Sequence, residues 1–217
     1  MNARKQLSQA EKDEADRIEA ARIKVEISRL LSIKGIKVYL DTNILIKASG
    51  SGGTNAQQRD AIHDFCLQND SHISDTAFWE FLRNCNVEGY GARMTALEAI
   101  LGDWKKIHRE DKAFEKQFAQ LIFLYLYVLR NEPRNIPNRN INDLRIAAAC
   151  VIDCDHLLTC DHETEDFSPY LFDDVLFDLG KNVKVHLKTF KREEAKKSWQ
   201  AMSDAGILQL KFEDHWT

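Results

Sequence analysis

Ile36-Lys37-Val38-Tyr39-Leu40-Asp41-Thr42-Asn43 is the stretch from which the rest of the chain can be placed. Apolar residues at Ile36, Val38 and Leu40 alternate as in a short buried strand. Asp41 follows at once, then Thr42 and Asn43, both good helix starters because their side chains accept from free backbone N–H groups. The apolar run Ile44-Leu45-Ile46 continues as a helix. Strand, acid, helix start is the resulting pattern. It puts Asp41 at the carboxyl end of a strand, where open parallel α/β sheets bind their ligands. A lone acid at such a place is more often a turn residue or a helix cap. The weight of the reading therefore depends on which other acids take similar positions.

Three do. His72-Ile73-Ser74 reads as a short strand, with Ser74 or Asp75 capping a helix whose apolar face is Ala77, Phe78, Phe81, Leu82 and Cys85. Glu80 lies beside that face. Taken alone, it would be a surface residue paired with Arg83 or Asn84. Asn142 reads as the cap of a helix that runs through Ile146-Ala147-Ala148-Ala149, which puts Asp143 in its first turn. There an acid ordinarily complements the helix dipole. His156-Leu157-Leu158-Thr159-Cys160 is a further strand and delivers Asp161, with Glu163, Glu165 and Asp166 close behind.

If these strands are neighbours, Asp41, Glu80, Asp143 and Asp161 converge on one sheet edge. Four carboxylates cannot all stay ionised there without a counter-charge. Hard divalent cations with oxygen ligands, Mg2+ or Mn2+, are the natural solution. Such ions can hold a phosphodiester and activate a water. Thr42 and Asn43 would orient Asp41 from behind.

The segments Val38 to Leu45, Ile73-Ser74 through Glu80, Asp143 to Ala149 and Leu157 to Asp161 resemble, in order, the motifs of the PIN-domain nucleases. The resemblance spans about residues 36 to 187 and is most specific at the first and last motifs. It implies an α/β fold, with a mostly parallel central sheet flanked by helices on both faces. It also implies Mg2+- or Mn2+-dependent cleavage of single-stranded RNA, usually endonucleolytic, with Asp41, Glu80, Asp143 and Asp161 as metal-binding and catalytic acids. Asp161, at the strand end, is taken as the fourth acid over Asp166, which is followed by Phe167 like the acid-Phe pair often seen there and is placed in the outer shell. Many bacterial members are toxins of toxin–antitoxin pairs of the virulence-associated-protein C type, and dimerise. An antitoxin and a homodimer are thus the implied partners, besides RNA.

This chain departs from the compact toxin pattern. Residues 1–35 read as an N-terminal helical extension with a capping box at Ser8 and Glu11, and Gly35 as its stop. Residues 36–190 form the nuclease-like domain, with a long helical stretch over 90–140, read as helices from Tyr90 to Arg109 and from Asp111 to Asn131. Further on come a helix around Pro169 to Leu179, a strand from Val183 to Leu187, and a C-terminal helical extension over 191–217. Arg134, Arg139 and Arg145 are candidate RNA contacts. Lys181, Lys184, Lys188, Lys191 and Arg192 are either a solvated face or a track for a nucleic-acid backbone.

Composition narrows the class. The chain has 217 residues, 44% hydrophobic and 29% charged, which suits one globular domain with appendages. A net charge of −4 provides no global positive field for nucleic acid, but a metal site is itself negative until filled. No apolar run reaches the ~20 residues that span a bilayer. The polar, charged N-terminus and five cysteines point to reduced thiols and a cytoplasmic location.

Three rivals stand beside the nuclease. Cys150, Cys154, His156, Cys160 and His162 invite zinc, but they lack close Cys-x-x-Cys knuckles, and buried thiols explain them better. A receiver- or phosphatase-type α/β protein would use Asp41 as its phosphorylated acid. A PIN-like module that binds RNA or protein without catalysis would keep the acids for a structural ion.

Overall fold

The computed structural model describes residues 8–51, 53–83, 85, 87–126, 138–161 and 171–207. Among these the chain forms helices α1 (Gln9–Leu31), α2 (Thr42–Ala48), α3 (Ala56–Gln68), α4 (Asp75–Leu82), α5 (Val87–Leu101), α6 (Lys112–Leu124), α7 (Asn138–Asp153) and α8 (Arg192–Asp204). The strands are β1 (Lys37–Leu40), β2 (Asp70–Ser74), β3 (Ile107–His108), β4 (His156–Thr159), β5 (Phe172–Asp178) and β6 (Lys184–Phe190). They make one sheet in the order β3-β2-β1-β4-β6-β5. The first four strands run parallel, and β6 and β5 are added antiparallel.

Side chains of a strand alternate between the two faces of its sheet. Val38, Tyr39 and Leu40 are nevertheless all fully buried, as are Leu158 and Thr159. The centre of the sheet is therefore covered on both sides, as expected where crossover helices return over a parallel sheet. From β1 the chain steps outward to β2 and β3, then returns through α7 to place β4 on the other side of β1. The connections thus diverge between β1 and β4. The crevice beyond the carboxyl ends of that pair is where such sheets bind ligands.

Helix α1 starts at the expected capping box: Ser8 and Glu11 bond each other's backbone or side chain. It ends at Leu31, before Gly35. It does not stand apart from the domain. Leu30 is in the core, Arg22 pairs with Asp178 at 2.9 Å, and the Arg29 guanidinium lies 5.1 Å from the centre of the Phe177 ring. Ile23 packs on Gly180, where φ is +75° and an added Cβ would lie 2.5 Å from Ile23 Cδ1. At the other end α8 buries Ala195, Trp199 and Met202.

Three expectations are corrected. The helix around Pro169 to Leu179 is strand β5 from Phe172 to Asp178. Phe172, Val175 and Leu176 have helical spacing, which misleads. The decisive feature is the tight turn after it, with Lys181 at φ 43° and Asn182 at φ 67°, which folds β5 back onto β6 as a hairpin. The helix from Tyr90 to Arg109 ends at Leu101. Gly102 takes φ +68° there, a left-handed stop, and the chain then forms a 3-10 turn and β3. Helix α7 begins at Asn138 rather than after Asn142, so Asn142 and Asp143 lie in its second turn.

Phe177 is fully buried beneath Arg29 and so couples β5 to α1. Phe177→Ala is expected to destabilise the protein by about 3–5 kcal/mol in urea unfolding. A loss under about 1 kcal/mol would mean that α1 and β5 are not packed as described.

Candidate functional site

Asp41 is the N-cap of α2 as well as the residue after β1. Its side chain is only 8% exposed. Oδ1 accepts from the Thr42 N–H at 2.6 Å, and Oδ2 accepts from Thr159 Oγ1 at 2.5 Å and Asn43 Nδ2 at 2.8 Å. The lone acid is a cap, and that cap is tied across to the neighbouring strand.

Thr159 is the last residue of β4 and is fully buried. Besides donating to Asp41, its hydroxyl accepts from the Asp161 N–H at 2.9 Å. Asn43 Oδ1 accepts from the Cys160 N–H at 2.7 Å, and the Asp41 N–H donates to the Leu158 carbonyl at 3.0 Å. Asp41 and Asp161 are thereby fixed on adjacent strand ends.

Glu80 reaches this node from α4. Its Oε2 accepts from Thr42 Oγ1 at 2.6 Å and its Oε1 from Asn142 Nδ2 at 2.5 Å. Thr42 therefore serves two acids, its backbone N–H on Asp41 and its hydroxyl on Glu80. Asn142, expected only as a cap, touches Glu80 from α7. Asp143 is one residue on, turned by about 100° around the helix. It is half-buried.

The electrostatics follow. The Asp41 carboxyl is raised from 3.8 to about 6, first by burial, against the pull of the Thr159 and Thr42 hydrogen bonds. The charges of Asp161 and Glu80 add to the rise. Asp41, Asp161 and Glu80 thus influence one another electrostatically.

They do not form a finished cage. Among the described residues no three His, Cys, Asp or Glu side chains group closely enough to hold an ion. The donor chemistry nonetheless suits a hard cation, being all oxygen from carboxylates that repel one another. Asp166 and Arg134 lie outside the described residues, as does the side chain of Arg139. Arg145 donates to Glu110 and sits 5.0 Å from the ring centres of both Phe114 and Phe118. It braces α7 against α6.

The basic cluster near the C-terminus is largely neutralised. Lys191 pairs with Asp173, Arg192 with Asp155, and Lys188 is buried 3.9 Å from Asp174. That favours a structural role over a nucleic-acid track. Cys150 and Cys154 stand 3.8 Å apart, and both thiols contact the His156 carbonyl, so this is a small packed pair.

A surface cleft of about 390 Å³ opens beside Glu80, lined also by Trp79, Arg83 and Asn142. Sequence reasoning gave no role to Thr159 or Trp79 and took Asn142 only as a cap. Thr159 was legible only as the one hydroxyl closing an apolar strand. No helix is long and apolar enough among the described residues to cross a membrane. Compared with known families, characterised proteins and solved structures, the chain matches none.

Because the folded Asp41 carboxyl lies above its unfolded value, its stabilising contribution is fully present below about pH 4 and lost as pH rises through about 6. In EDTA, unfolding free energy measured from pH 4 to 7 should contain this falling component, on the order of 2–3 kcal/mol. Asp41→Asn should lack it. Parallel pH profiles for the two proteins would contradict the assignment.

Proposed function

We propose that the chain is a PIN-type, divalent-metal-dependent ribonuclease that hydrolyses phosphodiester bonds in single-stranded RNA. One observation carries the reading: a carboxylate at the β1–β4 crevice whose proton affinity is raised first by burial and further by two acids brought in from α4 and the end of β4. Gathering like charges at the ligand-binding edge of a parallel sheet costs free energy that a cation would offset. The order of motifs along the chain adds the resemblance to PIN nucleases.

Asp41, Asp161 and Glu80 would hold Mg2+ or Mn2+, with Asp143 close by on α7. When bound, such an ion offsets charge on the phosphodiester and acidifies a water. The chain's own residues do the positioning. Thr159 and Asn43 fix Asp41 against the end of β4. Thr42 and Asn142 fix the two oxygens of Glu80. Water would attack phosphorus as the P–O bond to the ribose oxygen breaks; a carboxylate of the set would take the proton that water releases, and the ribose oxygen would leave as a hydroxyl protonated from solvent.

A cytoplasmic location accords with five free cysteines. A toxin role, a neutralising antitoxin and a homodimer belong to the proposal through the resemblance alone. A second reading, a module that binds without cleaving, draws on the hydrogen bonds that already engage both Asp41 oxygens.

The purified protein should cleave unstructured RNA with Mn2+ or Mg2+ and stop in EDTA. Asp41→Asn should lower the rate by at least about 100-fold, given that it removes a ligand and not the fold. Cleavage that survives both EDTA and Asp41→Asn would refute the proposal. RNA binding without metal-dependent cleavage in the unmodified protein would favour the second reading.

A further inference from the structure

The cleft beside Glu80 has a feature that the carboxylate site does not use. Trp79 is 67% exposed, although Trp199 in the same chain is fully buried. A single exposed apolar residue needs no explanation by itself. Three further observations give this one a role. Trp79 immediately precedes Glu80 and lines the same cleft, with Arg83 and Asn142. Trp79 and Arg83 are four residues apart at the end of α4, so they lie one above the other on one helix face. Phe78 meets the Trp79 ring edge-on, with centroids 5.1 Å apart and planes at 74°, which holds the indole while leaving it largely in solvent.

We infer that Trp79 and Arg83 form a stacking subsite for one unpaired base of an RNA strand, next to the phosphate that the carboxylate site would cleave. The inference rests on the ribonuclease reading and names the strand state that it accepts. Every base has a face that stacks on an aromatic ring, which gives affinity without sequence preference. In a duplex those faces are covered by neighbouring bases, so the platform selects single strands. The cleft, at about 390 Å³, takes about one nucleotide and not a helix. Arg83 supplies a cation for the adjoining phosphate in a cleft lined also by Asp75, Glu80 and Glu110, of which Glu110 is paired with Arg145. An exposed Trp-Arg pair is also common in protein interfaces. Here it adjoins the acids, which favours substrate over a protein partner.

The test measures binding in EDTA, where no cleavage occurs, by fluorescence anisotropy of a labelled oligouridylate and of a duplex RNA. Trp79→Ala should weaken oligouridylate binding about tenfold, and Trp79→Phe should restore most of it. Arg83→Ala should weaken it less and flatten its salt dependence. With Mn2+, Trp79→Ala should raise KM and leave kcat nearly unchanged. Unchanged oligouridylate affinity in a folded Trp79→Ala protein overturns the subsite, even if metal-dependent cleavage is intact. Equal losses for single strand and duplex also overturn it, as does an absence of RNA binding in the unmodified protein. Absence of cleavage with normal, Trp79-dependent binding would instead count against the ribonuclease reading alone.

Discussion

The hydrogen bond from the Thr159 hydroxyl to the Asp41 carboxylate joins the ends of two adjacent parallel strands inside a water-poor space. Such a carboxylate is costly unless its lone pairs are met. Three donors meet them: a backbone amide, an amide side chain and this hydroxyl. The same hydroxyl receives the Asp161 amide, so the two acids cannot move independently. The register of β1 against β4, with Leu40 beside Leu158, puts each donor in reach. A slip of one residue would turn Thr159 to the opposite face.

A second node mirrors the first on the other side of α2. Thr42 and Asn142 hold Glu80 between them, and so link α2, α4 and α7. One turn away, Thr76 and Arg145 both bond Glu110. Helix α4 is thus pinned to α7 on two levels. Its polar face is rigid where it meets the acids, and its indole projects from the same short helix.

Much of this was legible in the chain. The alternation at Ile36, Val38 and Leu40 located β1, and the acid after it located the site. A cap at Ser74 or Asp75 and the apolar face of α4 were equally plain, since both follow from local pattern, and Ser74 is the cap. What was not legible depends on choices among equivalent signals. Asn138, Asn140 and Asn142 are three good caps in five residues, and nothing local says which one starts α7. Phe172, Val175 and Leu176 fit a helix as well as a strand. Only pairing with β6 decides between them. Asp41, Glu80 and Asp161 couple electrostatically, and from α7 Asn142 bonds Glu80 beside Asp143. An offset of one position on a helix is below what spacing can resolve.

The seat of Ile23 on Gly180 ties two segments that are far apart along the chain. The hairpin tip between β5 and β6 has lost the freedom that surface loops usually enjoy. A methyl group there would meet the amino-terminal helix, and a left-handed backbone discourages it in any case. Positions 23 and 180 should therefore drift together or not at all among descendants of this gene. A fusion or insertion at that tip would pry the helix off its sheet edge.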